Sequence, residues 1–434
     1  MTNIHSIVSL SSSLALGLDE MTDDLDEIEE LAEDYESNLE FLRAQRWDHK
    51  RVDWAEHVKQ LFHENMFEVE YRMSHKAWIK LRSILSTYLE RNNNKSRASD
   101  PMTIEIIMGT GMRYLAGGKI NDIRHIYHTS KTAAYTCVMC FIEAVNTAPE
   151  LDINLPQTAS EWEDVRKGFA CKSTGGLLNG CVGALDGFFQ AINAPWRKIV
   201  GNVVAYYSGH YESYGLNCQA ACDAKLKFLY FCVVAPGKTN DHSAYPLCLD
   251  LCKAIANLPP GLYFVGDAAY SLEEHLLVPF TGSQKLNPDN DAFNFHLSQL
   301  RIRIEMAFGR LVRKFQILKR NMENKLHTAS KVLMTCAKLH NFIIDVDEPF
   351  GGDDNEHDDT DRDEIIPMEG APSGMAYRPV MLSPGEELEI VRGNSEIRKA
   401  LVEEISRLGI RRPSHNTLRN QNIEDIEEEY FHPN

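Results

Sequence analysis

The sequence contains no apolar run of about 18 residues, the length that a membrane-spanning helix requires. Its mildly apolar stretch at 7–18 lacks a basic flank and a convincing cleavage site, so it is not typical of a secretory signal. A glycine-rich phosphate loop of the Walker type is also absent, which disfavours an ATP-hydrolysing enzyme. We therefore expect an intracellular protein without a membrane segment.

Cysteine is present, but not at the spacings of a disulfide framework. The ten cysteines are scattered through apolar stretches of a 434-residue chain. Cys137 and Cys140 form a lone C-x-x-C whose neighbours are apolar and which has no second ligand pair nearby, so an apolar helix face is favoured over a zinc site. We expect reduced, mostly buried thiols.

Positive charge is scarce in the whole chain, which has 45 Lys and Arg against 63 Asp and Glu. The deficit is concentrated at the ends: residues 1–50 carry a net charge of −10 and residues 345–434 one of −14, which leaves the centre at +6. Acidic segments poor in aromatic residues usually stay solvated. We expect a partly helical acidic segment at 1–65 and a mostly disordered acidic tail at 346–434 with one amphipathic helix within 387–409. The basic centre is compatible with a phosphate polymer such as DNA.

Between 74 and 146, apolar residues recur at helical spacing in four short segments. Their tight final turn predicts a helix-turn-helix-like domain over 66–150, although helical bundles that bind nothing have the same spacing. Capping residues are expected at the glycine pair 117–118, at Asp122 or Asn121, and at Ser130.

From about residue 178 the apolar pattern becomes strand-like. Apolar runs separated by turn residues predict the order strand, strand, strand, helix, strand, with the helix at 242–258. Two long helical tracts follow at 295–320 and 328–344. Mixed strands with flanking helices imply a layered α/β core over 151–345.

Acidic residues occupy particular places in this core. Asp186 and Asp267 end strand-like apolar runs, and Glu305 lies on a basic helix. A buried carboxylate is unfavourable unless a partner or a cation replaces its hydration, and hard divalent cations prefer oxygen ligands. Three such acids in one fold predict a divalent-metal site, in which two ions about 4 Å apart would serve phosphodiester cleavage.

Each acid also has a purely structural interpretation. Asp186 and Asp267 could be turn acids, since a glycine adjoins each of them. Glu305 could be the i, i+4 partner of Arg301 on an exposed helix face. Asp241, in the loop before the predicted helix, could be a helix N-cap. The ordered set of acids favours the metal site more than any single acid does.

The helix that carries Glu305 is basic. Between His296 and His340 there are ten Lys or Arg and two acids. This asymmetry favours contact with DNA phosphates over an ordinary solvated helix face. The predicted phosphate-binding residues are Arg301, Arg303, Arg310, Arg313, Lys314, Lys319 and Arg320.

Several segments, in this order, resemble the PIF/Harbinger class of DDE transposases and the nucleases derived from them. The best matches are the G-D-x-x-Y-x-L run that begins at Gly266 and the R-x-x-x-E-x-x-F-G run from Arg301 to Gly309. The resemblance covers about 70–345; its other segments are GALDG, LNCQAACDAKLKF, APGKTNDHSAY and KLHNF. It implies an RNase H-like fold, a two-metal site for Mg²⁺ or Mn²⁺, and nuclease or transposase chemistry.

By motif match, Asp186, Asp267 and Glu305 carry over as the first, second and third catalytic acids, and Asp241 as a further metal-site acid. The chain departs from the family pattern at Phe188-Phe189, where a small residue and a histidine are usual, and at 269–271, where Gly-Tyr-Pro is usual. Neither change removes a metal ligand.

Two functions follow as hypotheses. The first is a metal-dependent DNA endonuclease or transposase; the alternative is a catalytically inactive, domesticated DNA-binding or scaffold protein. The intact acids favour the first. The resemblance further implies a nuclear location, with a cytoplasmic pool, and a Myb/SANT-like partner protein, and we expect that the chain can form a homo-oligomer.

Overall fold

Residues 51–89, 102–347 and 393–413 are described in a computed structural model of the chain. The predictions for the acidic segment before residue 51 and for most of the acidic tail lie outside the described residues. The α-helices are α1 (Trp54–His63), α2 (Phe67–Tyr71), α3 (His75–Leu89), α4 (Ile104–Leu115), α5 (Ile120–Ile126), α6 (Lys131–Thr147), α7 (Ala159–Ala170), α8 (Arg197–Val200), α9 (Asp241–Ala244), α10 (Leu249–Ala256), α11 (Pro288–Lys314), α12 (Leu326–Asp347) and α13 (Glu396–Leu408). The strands are β1 (Cys181–Ala191), β2 (Tyr207–Ser208), β3 (Ser213–Cys222), β4 (Phe228–Pro236), β5 (Tyr263–Val265) and β6 (Leu276–Leu277).

Helices α2 to α6 lie in the all-α region predicted over 66–150, and α1 lies in the segment before it, which was predicted to be partly helical. The Ser130 hydroxyl caps α6 by accepting a hydrogen bond from the Ala133 amide, as expected. Gly117 follows α4 with a φ of 101°, a conformation that favours glycine. The cap predicted at Asn121 or Asp122 is wrong. Helix α5 is instead capped by the backbone of Lys119, which places both residues inside its first turn.

The six strands of the described residues form one mixed sheet in the order β2-β3-β1-β5-β6, with β4 also paired to β3. Strand β1 runs antiparallel to β3 and parallel to β5. Helices α11 and α7 pack against β1, and Trp162 of α7 meets Phe264 of β5 with ring centroids 6.0 Å apart. This mixed sheet flanked by helices is the α/β core predicted from the sequence, and it is consistent with an RNase H-like fold.

The helical region and the sheet share a continuous hydrophobic core, because α12 packs against β4 on one side and against α6 and α3 on the other. The single helix predicted at 242–258 is wrong. It is divided into α9, a 3₁₀ turn and α10, because Pro246 cannot supply a helical amide hydrogen. Among the described residues, no helix is both long and apolar enough to cross a membrane.

Helix α13, predicted within the tail, docks on the α/β core. The Ser395 hydroxyl donates to the carbonyl of Glu274, whose carboxylate accepts the first amides of the helix. Arg398 donates to the carbonyl of Val278 at 3.1 Å, and its guanidinium lies 4.0 Å from the centroid of the Phe280 ring. This part of the tail therefore belongs to the folded core.

Replacing Arg398 by alanine is expected to lower the free energy of unfolding by about 2–3 kcal/mol, because a hydrogen bond from a charged group and a desolvated cation–π contact are lost together. Urea unfolding followed by circular dichroism measures the change. The matched control is Lys399→Ala, which removes an exposed side chain from the same helix and is expected to change the stability by less than about 0.5 kcal/mol. Equal effects of the two substitutions would contradict the docking role of Arg398.

Candidate metal and nucleic-acid site

Asp186 lies in the middle of β1, and its side chain is almost fully buried, with 5% exposed. Its predicted position at a strand end is wrong, because β1 continues to Ala191 in register with β3. A turn role is therefore excluded for Asp186. A carboxylate that is buried on a central strand loses its hydration. Another group must therefore compensate for its charge.

Asp267 follows β5 at its carboxyl end, as predicted. The last residue of β5, Val265, is in register with Ala184 of β1, so the chain leaves the sheet beside Asp186. The Oδ1 atom of Asp267 accepts a hydrogen bond of 2.8 Å from the Ala269 amide, which fixes the carboxylate at the start of the loop.

Glu305 reaches the sheet from α11, which packs across β1. Arg301, one helical turn earlier, places Nη1 2.5 Å from the Oε1 atom of Glu305 and 3.8 Å from the Oδ2 atom of Asp186. The i, i+4 pair considered from the sequence therefore exists, but it faces the acids and not open solvent. Among the described residues, no donor points at the Glu305 Oε1 atom with the geometry of a hydrogen bond. The contact between Arg301 and Glu305 is therefore an ion pair only.

Asp241 is not the N-cap of α9; Asn240 is, through a hydrogen bond from the Ser243 amide. The Oδ1 atom of Asp241 accepts instead from the side-chain amides of Asn217 at 3.0 Å and Gln219 at 2.8 Å, both on β3. The hydroxyl of Tyr270 donates to the Gln219 Oε1 atom at 2.7 Å and so holds that amide in place. Asp241 is thus positioned by a polar network and not by its helix.

The polar network around Asp241 is not among the features predicted from the sequence. Its signal is the pair Asn217 and Gln219, two amides that alternate with small apolar residues on a buried strand. Alternation places both on one face of β3. A buried amide requires hydrogen-bond partners, so this pattern indicates an acceptor across that face.

Gly187 makes the approach of Asp241 possible. A β-carbon at this position would overlap the Asp241 carboxylate, so the glycine next to Asp186 provides space and does not form a turn. Side chains alternate along a strand, so Asp186 faces α11 while Asp241 lies over the face presented by Gly187.

Substituting Gly187 by alanine is expected to cost about 1–3 kcal/mol of unfolding free energy, because the new methyl group displaces a carboxylate held by two amides. The matched control is Gly309→Ala on α11, where a β-carbon would meet nothing within 4 Å. That control is expected to be neutral or stabilising by up to about 1 kcal/mol, since alanine favours helices. Chemical denaturation distinguishes the two, and a neutral effect at Gly187 would argue against the close approach.

The carboxylates influence one another electrostatically. Burial raises the pKa of Asp186 well above its usual value, the charges of Asp267 and Asp241 raise it further, and Arg301 opposes them. Burial and the Asp241 charge raise the pKa of Asp267 to about 6. The pKa of Asp241 is also raised by burial, against the effect of its two amide donors. The structure therefore brings these acids into one neighbourhood, which Glu305 joins through Asp267 and Arg301.

The donor set fits a hard divalent cation in kind, because it consists of carboxylate oxygens whose crowding a cation would relieve. The carboxylates are too far apart for a complete metal site: among the described residues, no three His, Cys, Asp or Glu side chains are grouped tightly enough to hold a metal ion. Two features account for this. Arg301 lies between Asp186 and Glu305, and Asp241 approaches β1 from the other face.

The basic residues on and just after α11 lie in two environments, some buried against the protein and others exposed to solvent. Arg303, Arg310 and Lys314 recur at helical spacing: Arg303 is buried, and burial lowers the pKa of Arg310 and of Lys314. These three face protein groups, so phosphate contact by the whole tract stays a prediction. The exposed or partly exposed members near the end of the helix are Arg313, Lys319 and Arg320.

Comparison with known proteins adds one finding. No curated protein and no solved structure gave a significant match to the chain. Residues 185–341, which contain all four acids from Asp186 to Glu305, match the family model described as DDE superfamily endonuclease, and the chain thus carries a DDE endonuclease domain.

Proposed function

We propose that this chain is a divalent-metal-dependent DNA endonuclease or transposase of the Harbinger type, which cleaves phosphodiesters by water attack. The observation that carries the proposal is the neighbourhood of Asp186 on β1, Asp267 after β5, Asp241 on α9 and Glu305 on α11, whose charges act on one another. Crowding four acids at a partly buried place is unfavourable for stability, and such groups cluster where chemistry requires them.

The four acids would hold Mg²⁺ or Mn²⁺, which would supply water activation and stabilisation of the leaving 3′ oxygen. The chain's own residues prepare this site. Asn217 and Gln219 hold the Asp241 carboxylate, while Arg301 balances the charges of Asp186 and Glu305. Because Arg301 is a cation that lies between two of the acids, a metal cation that binds there would displace it, and its guanidinium would then be available to a substrate phosphate.

Further parts of the proposal come from the Harbinger resemblance. They are a nuclear location with a cytoplasmic pool, and a Myb/SANT-like partner that assists nuclear entry and binding at DNA ends. Self-association is proposed as well. Comparing nuclear accumulation with and without a co-expressed Myb/SANT-like protein tests the first two, and analytical ultracentrifugation tests the third.

The test of the proposed function is nicking of labelled supercoiled DNA by the full chain. Cleavage is expected with Mg²⁺ or Mn²⁺, and its loss is expected with EDTA and in Glu305→Gln. The matched control is Asp164→Asn on α7, where the acid is 71% exposed and distant from the proposed chemistry. Absence of nicking by the wild type would overturn the proposal in favour of the DNA-binding alternative. Equal nicking by all three proteins, or nicking that persists in EDTA, would overturn it in favour of a contaminating nuclease.

A further inference from the structure

A concave pocket of about 230 Å³ opens beside Asp241. It is smaller than the about 300–1,000 Å³ typical of sites for drug-sized ligands, so it suits one ring system. The lining residues used below are Phe189, His210, Tyr211, Lys238 and Asp241.

The aromatic wall of this pocket is built by the surrounding backbone. The rings of Phe189 and Tyr211 stack with centroids 4.2 Å apart and planes inclined by 15°. Phe189 occupies space that β-carbons at Gly215 and Gly237 would fill. The two glycines therefore permit the position of Phe189, which in turn supports one face of Tyr211.

The pocket adjoins the acids directly, since Asp241 lines both. Burial and the nearby carboxylates, Asp241 first among them, raise the pKa of Tyr211 to about 12. Lys238 and His210 are exposed at the pocket, where Lys238 offers a positive charge to a phosphate.

We propose that this pocket binds one unpaired nucleobase of the DNA strand that is cut, by stacking on the Phe189–Tyr211 wall. Aromatic side chains stack on any base, and a base held here places its own backbone next to Asp241. A paired base cannot enter, because its faces are covered within the duplex; the nucleotide must be single-stranded or turned out of the helix. The inference rests on the proposed function, and it adds a substrate-positioning site to it.

The test measures binding without cleavage, in EDTA, by fluorescence anisotropy. The probes are a labelled thymidine hexanucleotide and a hexamer of the same sugar-phosphate backbone without bases. The wild type is expected to bind the thymidine oligomer at least about 10-fold more tightly, and Tyr211→Leu is expected to lose about 5- to 100-fold of that preference, the range of one base–aromatic stack. Tyr211→Phe retains the ring and is expected to bind as the wild type does.

Equal binding of both probes by the wild type would overturn the proposal, and so would a full base preference in Tyr211→Leu. Circular dichroism and the affinity for the abasic probe show whether Tyr211→Leu is folded; if it is not, Tyr211→Ser and Phe189→Leu replace it under the same criterion. Nicking is measured separately. If nicking is present and base preference absent, the pocket proposal fails alone; if base preference is present and nicking absent, only the proposed function fails.

Discussion

Replacing Asp186 by asparagine is expected to reduce metal-dependent nicking by a factor on the order of 10³ while making the metal-free protein more stable. The loss should exceed the about 10–100-fold that follows from removal of groups that only orient metal ligands. The gain should be about 0.5–2 kcal/mol at pH 7.5, because asparagine removes a carboxyl group whose charged form is disfavoured by burial and by the neighbouring acids. Nicking assays and urea unfolding in EDTA measure the two effects.

The two changes in opposite directions are what distinguish a functional acid from a structural one. The Oδ1 atom of Asp186 accepts a hydrogen bond from the Gly187 amide, which asparagine can preserve. If the acid served the fold through its ion pair with Arg301, the substitution would lower stability and activity together. That joint loss would contradict the account, and Asp164→Asn, expected to alter neither quantity, again serves as the control.

His340 is expected to make the fold strongly sensitive to acid. Burial lowers the pKa of this ring from 6.5 to about 3, and its Nε2 atom lies 2.8 Å from the carbonyl oxygen of Leu226, to which the neutral ring donates. The unfolded chain therefore binds a proton at a pH where the folded chain does not. The contribution of His340 to the free energy of unfolding is fully present above pH 6.5. It decreases by up to about 4–5 kcal/mol as the pH falls toward 3.

The measurement is the free energy of unfolding at pH values between 7.5 and 5. Between pH 6.5 and 5 the wild type is expected to lose about 2 kcal/mol through His340 alone, at about 1.4 kcal/mol per pH unit. His340→Gln keeps a donor for Leu226 and should lack this component, although it starts from a lower stability. His327→Gln, on the exposed part of the same helix, should retain the wild-type slope. Identical slopes in all three proteins would show that His340 does not titrate as described.

The sequence was sufficient to predict the α/β core and two of the acid positions. Apolar runs and helical periodicity indicate β5 and α11, so Asp267 at a strand end and Glu305 on a helix follow from local pattern. The position of Asp186 could not be obtained in this way. Gly187 resembles a turn residue in sequence, whereas its role is to leave room for Asp241, which is 54 residues away in the chain.

The surroundings of the acids depend on contacts that no local pattern contains. Asn217 and Gln219 meet Asp241 only because β3 lies beside β1 and α9 folds over it. Similarly, charge counting treats the tract on α11 as one basic surface. Three-dimensional packing instead buries Arg303 and places Arg301 among the acids.

The departure from the Harbinger pattern at 188–189 now has a physical description. Phe188 points to the α11 side of the sheet, where its ring centroid lies 5.1 Å from that of Phe308. Phe189 points to the other side and stacks on Tyr211. One aromatic residue thus extends the core, and the other forms the wall of the pocket beside Asp241.

We propose that the four acids, which come from separate elements, share one divalent-cation site. Electron paramagnetic resonance of Mn²⁺ titrated into the full chain, without DNA, tests it most directly because bound and free ions give different signals. We expect specific binding by the wild type and by Asp164→Asn, with affinity lowered at least about 10-fold in Asp186→Asn and in Glu305→Gln. The same isotherm for all four proteins would contradict the claim.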